Sequence, residues 1–341
     1  MATQKEEKKE VKNDLQDLID NITKSYGEGS IDLLNSPSRV RKCSKNRFTT
    51  GLFNLDWALG GGLVEGSQIE ISGAEGHGKT TLALSILAQC QSLGMMGYIV
   101  DAEHKLNLEY AEVLGVDIKR LFITQPNWGE QALDIMKDVL TSGLVRVVVV
   151  DSVSMLVPLV DITGEFTDAN MGAHPRLMSK MVRVMTPLVT QNKILIIYIN
   201  QARTKIGNFF GDPETTTGGH ALKHMCGMRI KVSSQQIKTA AGAVDITRRN
   251  VTLNVIKNQW GVPYRKVDEE LVLGQGFNRG LDMIEYGLRM GVLTLNGSFV
   301  KFGSHSVGNG KAKAGQALLE NANLRKDFMK ALKEAENAES K

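Results

Sequence analysis

Apolar and polar positions divide the chain into stretches of distinct period. Between about residues 50 and 274, near-continuous apolar runs alternate with helical stretches. The runs are Gln68–Ser72, Met96–Asp101, Leu121–Thr124, Val145–Asp151, Ile194–Asn200, Arg229–Ser233 and Val251–Lys257. A strand that is apolar at successive positions needs cover on both faces, so the pattern predicts a mainly parallel sheet between two layers of helices. The last strands follow one another through short links, which predicts an antiparallel extension at one edge. Nearer the N-terminus, Leu15, Leu18, Ile19 and Ile22 fall at i, i+3, i+4 and i+7. That stripe predicts an amphipathic helix, capped by Asn13 or Asp14 and ended by Gly27. It packs either on its own domain or on a neighbouring copy, and the pattern does not choose.

The segments without such a period complete the layout. Residues 1–13 carry mixed charge and no apolar stripe and are expected to be disordered, and residues 35–49 read as a polar linker. Beyond Gly274 the texture predicts short helices around Leu281–Met290, a hairpin over Val292–Phe302, a Gly-rich turn at Gly303–Gly310 and a helix over 323–338. Residues 275–341 thus read as a small α/β appendage. Inside the core, Gln201–Gly219 reads QARTKIGNFFGDPETTTGG, directly after an apolar run. A structureless loop of this length in a compact domain is either functional or an idle surface segment. Its cations Arg203 and Lys205, its apolar Ile206, Phe209 and Phe210, and the small residues Thr215–Gly219 point to a ligand.

The sharpest local signal is Gly73-Ala74-Glu75-Gly76-His77-Gly78-Lys79-Thr80, which fits GxxxxGK[ST] between a strand and the helical stretch starting at Thr81. Glycines let backbone N–H groups face phosphates, and the helix N-terminus adds positive partial charge. Lys79 then reaches the outer phosphates and the Thr80 hydroxyl binds Mg²⁺, so the motif predicts a nucleoside triphosphate site. Asp151 ends an apolar strand, the setting of a carboxylate that holds Mg²⁺ through water. Glu103 follows another strand and is placed to orient an attacking water as general base. Asp101 competes for that role, and spacing does not separate the two. Tyr110 either stacks on a nucleobase or packs on its own helix, and His104 reads as a surface or hydrogen-bonded residue.

Composition narrows the partners. With 341 residues, 42% hydrophobic and 23% charged, the chain is an ordinary globular protein of one large domain and a small second one. Its net charge of +4 is mild, so nucleic-acid binding must rest on local cations. Three cysteines, Cys43, Cys90 and Cys226, lie far apart without CxxC spacing, which argues against a disulfide framework and a zinc site. No apolar run approaches a membrane span and the first residues are no secretory signal, so a cytoplasmic protein without membrane partners is expected.

Three segments carry a family resemblance: VDAEH at 100–104, VVVVDSV at 147–153, and INQARTKIG followed by FGDPETTTGG between Ile199 and Gly219. With them the chain resembles the bacterial-type RecA recombinase family, bacterial or bacteriophage, from about Tyr26 to the final helix. The resemblance implies a RecA-like P-loop ATPase core over 50–274, an N-terminal protruding helix and strand for oligomerisation over 14–34, and a small C-terminal α/β domain that captures duplex DNA. It implies ATP and Mg²⁺ as cofactors, bound by Gly73–Thr81 with Tyr110 and Asp151, and with Lys223 and Lys257 (together with Arg229) reaching a neighbour's nucleotide. Glu103, Lys79 and Gln201 become the catalytic set, Gln201 sensing the γ-phosphate. DNA would lie on a first loop over Gly164–Gly172, including Met171 and Gly172, followed by Arg176 and Arg183. A second loop would carry Arg203, Lys205, Ile206, Thr217, Gly218 and Gly219. The C-terminal cations Lys301, Lys311, Lys313 and Lys326 would meet the duplex.

The implied activity is ATP-dependent homologous recombination in DNA repair and the SOS response: a nucleoid-associated helical self-filament on single-stranded DNA searches duplex DNA and exchanges strands. The rivals are a ring helicase on the same core and a non-catalytic DNA-binding regulator. Three positions depart from the family pattern. Lys257-Asn258-Gln259 lacks the second of two interfacial lysines, Asn107 stands where an Asp is common, and the C-terminal end is short and charge-mixed.

Overall fold

The computed structural model describes residues 2–27, 30–31, 46–165, 170, 172–204, 214–216, 218–238 and 242–339. They fall into two compact units, Met1–Lys45 and Asn46–Lys341. In the first, α1 runs over Ala2–Tyr26, so the helix begins well before the start predicted at Asn13 or Asp14. Residues 1–13 were expected to be disordered for want of an apolar stripe. Their Lys, Glu and Gln have high helix propensity and no Gly or Pro interrupts them, so a helix nucleated on the stripe extends through them. Gly27, at φ +90°, ends it with its N–H on the Thr23 carbonyl at 2.8 Å, as expected. Leu15 and Leu18 are exposed within this unit. The strand expected in 14–34 and most of the linker lie outside the described residues.

The second unit opens on a small antiparallel pair, β1 (Arg47–Phe48) with β2 (Leu63–Val64), around α2 (Phe53–Leu59). The linker therefore ends at about 45 and not at 49. Alternation then sets in: β3 (Gln68–Gly73), α3 (Lys79–Ser92), β4 (Met96–Asp101), α4 (Leu108–Val113), β5 (Leu121–Thr124), α5 (Gly129–Thr141), β6 (Val145–Asp151), α6 (Leu159–Thr163), α7 (Ala173–Gln191) and β7 (Leu195–Thr204). After β8 (Glu214–Thr216) and α8 (Ala221–Met225) come three long strands, β9 (Met228–Lys238), β10 (Val244–Asn258) and β11 (Lys266–Val272), and the short β12 (Gly276–Phe277).

The main sheet has the order β12-β11-β10-β9-β3-β7-β6-β4-β5. From β9 to β5 neighbouring strands are parallel, and β9 to β12 form an antiparallel ribbon. The apolar runs are continuous because alternate residues enter two cores. Val147 and Val149 of β6 join Ile69, Ile71, Ile197 and α3 on one face, while Val148 and Val150 join Tyr198, Met136 of α5 and Met181 of α7 on the other. Each such side chain contributes about 1.5–3 kcal/mol of burial.

Two expectations change. The strand predicted over Ile194–Asn200 runs on to Thr204, and β8 returns antiparallel to it, pairing Ala202 with Thr216 and Thr204 with Glu214. The loop Gln201–Gly219 is thus a β-ribbon at its base, because strand pairing needs only backbone groups and leaves no side-chain period. The boundary expected at 274 also shifts: β12 still pairs with β11. The C-terminal part then holds α9 (Arg279–Arg289), a meander of β13 (Leu293–Asn296), β14 (Phe299–Phe302) and β15 (His305–Asn309), α10 (Lys311–Glu320) and α11 (Ala322–Glu339). The expected Gly-rich turn is mostly the strand β15, whose glycine Gly308 lies where α10 leaves no room for a Cβ.

This part has its own core around Met283, Leu293, Val300, Leu318 and Phe328, yet it belongs to the same compact unit. The buried Asp282 carboxylate accepts from the Phe53 and Asn54 backbone N–H groups at 2.7 and 3.0 Å and from Asn54 Nδ2 at 2.9 Å. Burial beside that carboxylate drives Glu269 of β11 far above the ordinary carboxylate range, so it keeps its proton at neutral pH. Trp57 is sandwiched by Arg265 and Arg289, at 4.5 and 4.1 Å from the ring centroid.

Candidate nucleotide site and DNA segments

In parallel α/β sheets ligands collect at the carboxyl ends of strands, and here those ends are in register. Gly73 of β3 pairs with Gln201 of β7, and Asp101 of β4 pairs with Asp151 of β6. The residues that follow line a cavity of about 230 Å³: Glu75, Gly76, Gly78, Lys79, Thr80 and Thr81 from the P-loop, with Glu103, Tyr110, Asp151 and Gln201. The turn needs its glycines. A Cβ on Gly73 would stand 2.1 Å from the Val232 carbonyl oxygen, and Gly78 sits at φ +93° at the start of α3. Gly73, Ala74 and His77 shape the turn without lining the cavity, and His77 Nδ1 is buried without a hydrogen-bond partner among the described residues.

Polar contacts converge on the same point. Lys79 Nζ donates to the Ala74 carbonyl at 2.7 Å, and Thr80 Oγ1 donates to Asp151 Oδ2 at 2.8 Å. Glu103 Oε1 accepts from Ser152 Oγ at 2.7 Å and from Gln201 Nε2 at 3.3 Å, and Lys105 Nζ lies 3.9 Å from Glu103 Oε2. The geometry separates Glu103 from Asp101. Asp101 is buried, with its oxygens taken by the Lys105 and Leu106 N–H groups at 3.2 Å and Gln125 Nε2 at 2.9 Å, so it holds a loop. Only Glu103 of the two borders the 230 Å³ cavity. His104 Nε2 lies 3.4 Å from the Pro126 oxygen, as a hydrogen-bonded residue would.

Burial pulls both charges of the site toward neutrality. Desolvation, then Glu103 and Asp101, pushes the Asp151 carboxyl up to about 6 against the opposing Thr80 bond and Lys79 charge. Desolvation likewise lowers Lys79, with Asp151, Glu103 and Glu75 opposing. A polyphosphate beside Lys79 and a divalent cation beside Asp151 would each favour the charged form. The donor set fits Mg²⁺ in this role, since one hydroxyl and one carboxylate leave positions for water and phosphate oxygens. No cluster of three or more His, Cys, Asp or Glu is placed to hold a metal among the described residues.

The family model of the RecA N-terminal domain matches residues 13–278. A Protein RecA of Thermus aquaticus is 41% identical over 313 residues, covering 91% of this chain and 90% of the relative. Those of Bartonella quintana and Acidiphilium cryptum are each 39% identical, over 317 and 304 residues, covering 93% and 89% of this chain and 90% and 88% of the relatives. The chain belongs to the bacterial-type RecA family.

The other residues expected from the resemblance can be placed on this fold. Gly172, at φ +87°, starts α7, with Arg176 exposed one turn on. Gly218 is buried with a Cβ position 3.1 Å from Met178 Cγ, and Gly219 meets Pro175. The ends of both expected DNA loops therefore meet on α7. Arg203 belongs to β7, whereas Met171, Lys205, Ile206 and Thr217 lie outside the described residues. Lys223 and Lys257 do not border their own chain's cavity, and Lys257 Nζ donates to the Lys223 and His224 carbonyls at 2.9 Å. Arg229, expected to reach a neighbour's nucleotide, is paired within its own chain with the fully buried Glu70. That pair neutralises a carboxylate inside the sheet, a demand invisible without the strand order. Lys311 pairs with Glu285 at 2.7 Å.

Some site residues had no sequence signal. Ser152 holds Glu103, and Leu271, Leu273 and Arg249 come from the antiparallel ribbon. Size is no guide either: a larger cavity of about 670 Å³ lies between Phe53 and Arg279, Met283 and Met329, away from every P-loop residue. No helix among the described residues is long and apolar enough to cross a membrane.

Proposed function

We infer that the chain is an ATP-dependent homologous recombinase, a DNA-dependent ATPase of the RecA family that acts in DNA repair. The observation that carries the residue-level reading is the hydrogen bond from Gln201 to Glu103. Gln201 opens the segment leading to the second DNA loop, and Glu103 borders the phosphate site. One contact therefore couples the state of the nucleotide to the DNA surface. Lys79 and the P-loop N–H groups bind the triphosphate, Thr80 and Asp151 hold Mg²⁺, and Tyr110, whose hydroxyl lies 3.1 Å from Thr81 Oγ1, packs beside the base. Bound Mg²⁺ would draw charge from the γ-phosphate. Glu103 accepts a proton from the attacking water, and Ser152 holds its carboxylate in place.

Single-stranded DNA lies along Gly172, Arg176, Arg203, Lys205 and Gly218–Gly219, held by backbone contacts that ignore sequence, and the C-terminal part receives duplex DNA. The exposed α1 stripe docks on the next copy, a head-to-tail contact that propagates a helix. Lys223 and Lys257 face that copy's nucleotide. The test pairs ATP turnover, with and without single-stranded DNA, with electron microscopy of the product. The expected outcome is salt-sensitive stimulation by DNA together with extended helical filaments. Turnover indifferent to DNA, or closed rings that unwind a fork, would overturn the reading.

A further inference from the structure

Arg249 stands on β10 at the rim of the nucleotide cavity, at a position no motif marks. Its Nη1 donates to the Gly76 carbonyl at 3.2 Å. In the β10–β11 ladder Arg249 lies directly opposite Leu271. Directly opposed residues of antiparallel strands put their side chains on one face. Leu271 borders the cavity, and its Cδ2 lies 3.2 Å from the Cβ position of Gly78. One rung of the ribbon therefore touches the P-loop twice, with a cation on Gly76 and an apolar group on Gly78.

The adjacent Arg248 is committed to acids, at 2.7 Å from Asp245 and 3.5 Å from Glu270. Arg249 forms no ion pair with a carboxylate among the described residues, so its charge is spent on a neutral carbonyl. Gly76 has little else to hold it. It is exposed, its φ is +71°, and nothing lies within 4 Å of its Cβ position. The peptide joining Gly76 to His77 is planar and trans, so its C=O and N–H point in opposite directions. A guanidinium fixed on the Gly76 oxygen therefore also fixes the orientation of the N–H that follows it. P-loops use such N–H groups to bind phosphate.

We propose that Arg249 is a positioning residue of the nucleotide site: by holding the Gly76 carbonyl it fixes the backbone of the turn from Gly76 to Gly78, both of which border the cavity, and raises affinity for the triphosphate. This role rests on the reading of the cavity as an ATP site. It also explains why a flexible, glycine-rich turn is ordered from outside by a ribbon that carries no part of the motif.

The test measures MgATP affinity and steady-state ATP turnover for Arg249→Ala and Arg249→Lys, with Lys79→Ala as the site control and nucleotide-free melting as the fold control. Arg249→Ala is expected to bind MgATP about fivefold more weakly, to raise KM by the same factor, and to leave kcat and melting nearly unchanged. Arg249→Lys, which keeps a cation and a donor, recovers most of the affinity. Wild-type affinity in Arg249→Ala, with affinity lost in Lys79→Ala, overturns the role of Arg249 alone. Wild-type affinity in Lys79→Ala overturns the ATP reading, and the proposal with it. If Arg249→Ala melts early, Arg249→Lys decides: recovered affinity supports the role, and affinity no better than that of the Ala variant overturns it.

Discussion

The nucleotide cavity has two walls of different origin. One is the carboxyl edge of the parallel strands, bearing Lys79, Thr80, Glu103, Asp151 and Gln201; the other is the antiparallel ribbon, bearing Arg249, Leu271 and Leu273. The first wall carries the side chains proposed for the chemistry, which calls for particular residue types, so it reads as motif. The second supplies shape and support, for which a cation and two leucines suffice. Chemistry and fit are thus assigned to separate parts of one sheet, joined through β9 and β3.

The largest effect separates the walls by rate. Glu103→Gln removes the proton acceptor but keeps an oxygen for Ser152. ATP turnover should fall by about 10²–10⁴-fold with MgATP binding retained, as measured by single-turnover kinetics beside equilibrium binding. Equal loss of binding and rate would place Glu103 with the supporting residues instead.

The ribbon wall should respond in stability. Leu271 is buried against Gly78, so Leu271→Ala loses packing on both the core and the P-loop. Unfolding in denaturant should show a loss of about 2–4 kcal/mol. KM for ATP should rise a few-fold with kcat within a factor of about two. A fall in kcat as deep as that of Glu103→Gln would erase the distinction between the walls.

The smallest effect concerns how the ribbon is tied to the C-terminal part. Glu269 keeps its proton when folded and loses it when unfolded at neutral pH. The folded state then binds more protons, so this group contributes stability that falls as pH rises above the ordinary carboxylate range. Glu269→Gln removes that dependence. Its unfolding free energy relative to the wild type, measured in denaturant, should rise by about 1.4 kcal/mol between pH 6 and 7. A constant margin would mean that Glu269 is ionised in the fold.

Much of the first wall was legible because the P-loop has a fixed local spacing and its carboxylates stand at or just past the ends of apolar strands. Spacing did not separate Asp101, which ends β4, from Glu103 just past it; the resemblance implied Glu103, and in the fold hydrogen bonds consume the oxygens of Asp101 while Glu103 borders the cavity. The N-terminal helix was found but cut short, because an apolar stripe marks what packs and not how far good helix formers extend. The base of the loop after Gln201 was missed for the converse reason, since β7 and β8 pair through their backbones. Nothing near Arg229 in the sequence marks its partner, because Glu70 lies 159 positions away.

Sequence alone determined the alternating strands and helices, the glycine-rich P-loop turn and the family, and it supplied the side chains proposed for catalysis. These are local or periodic: each depends on residues a few positions apart, or on one residue type at one strand end. Tertiary structure decided which strand lies beside which, and therefore that Arg249 and Leu271, some 170–200 positions beyond the P-loop, close over Gly76 and Gly78. Such contacts are set by strand order and register, which the chain specifies only through the summed burial of its whole core.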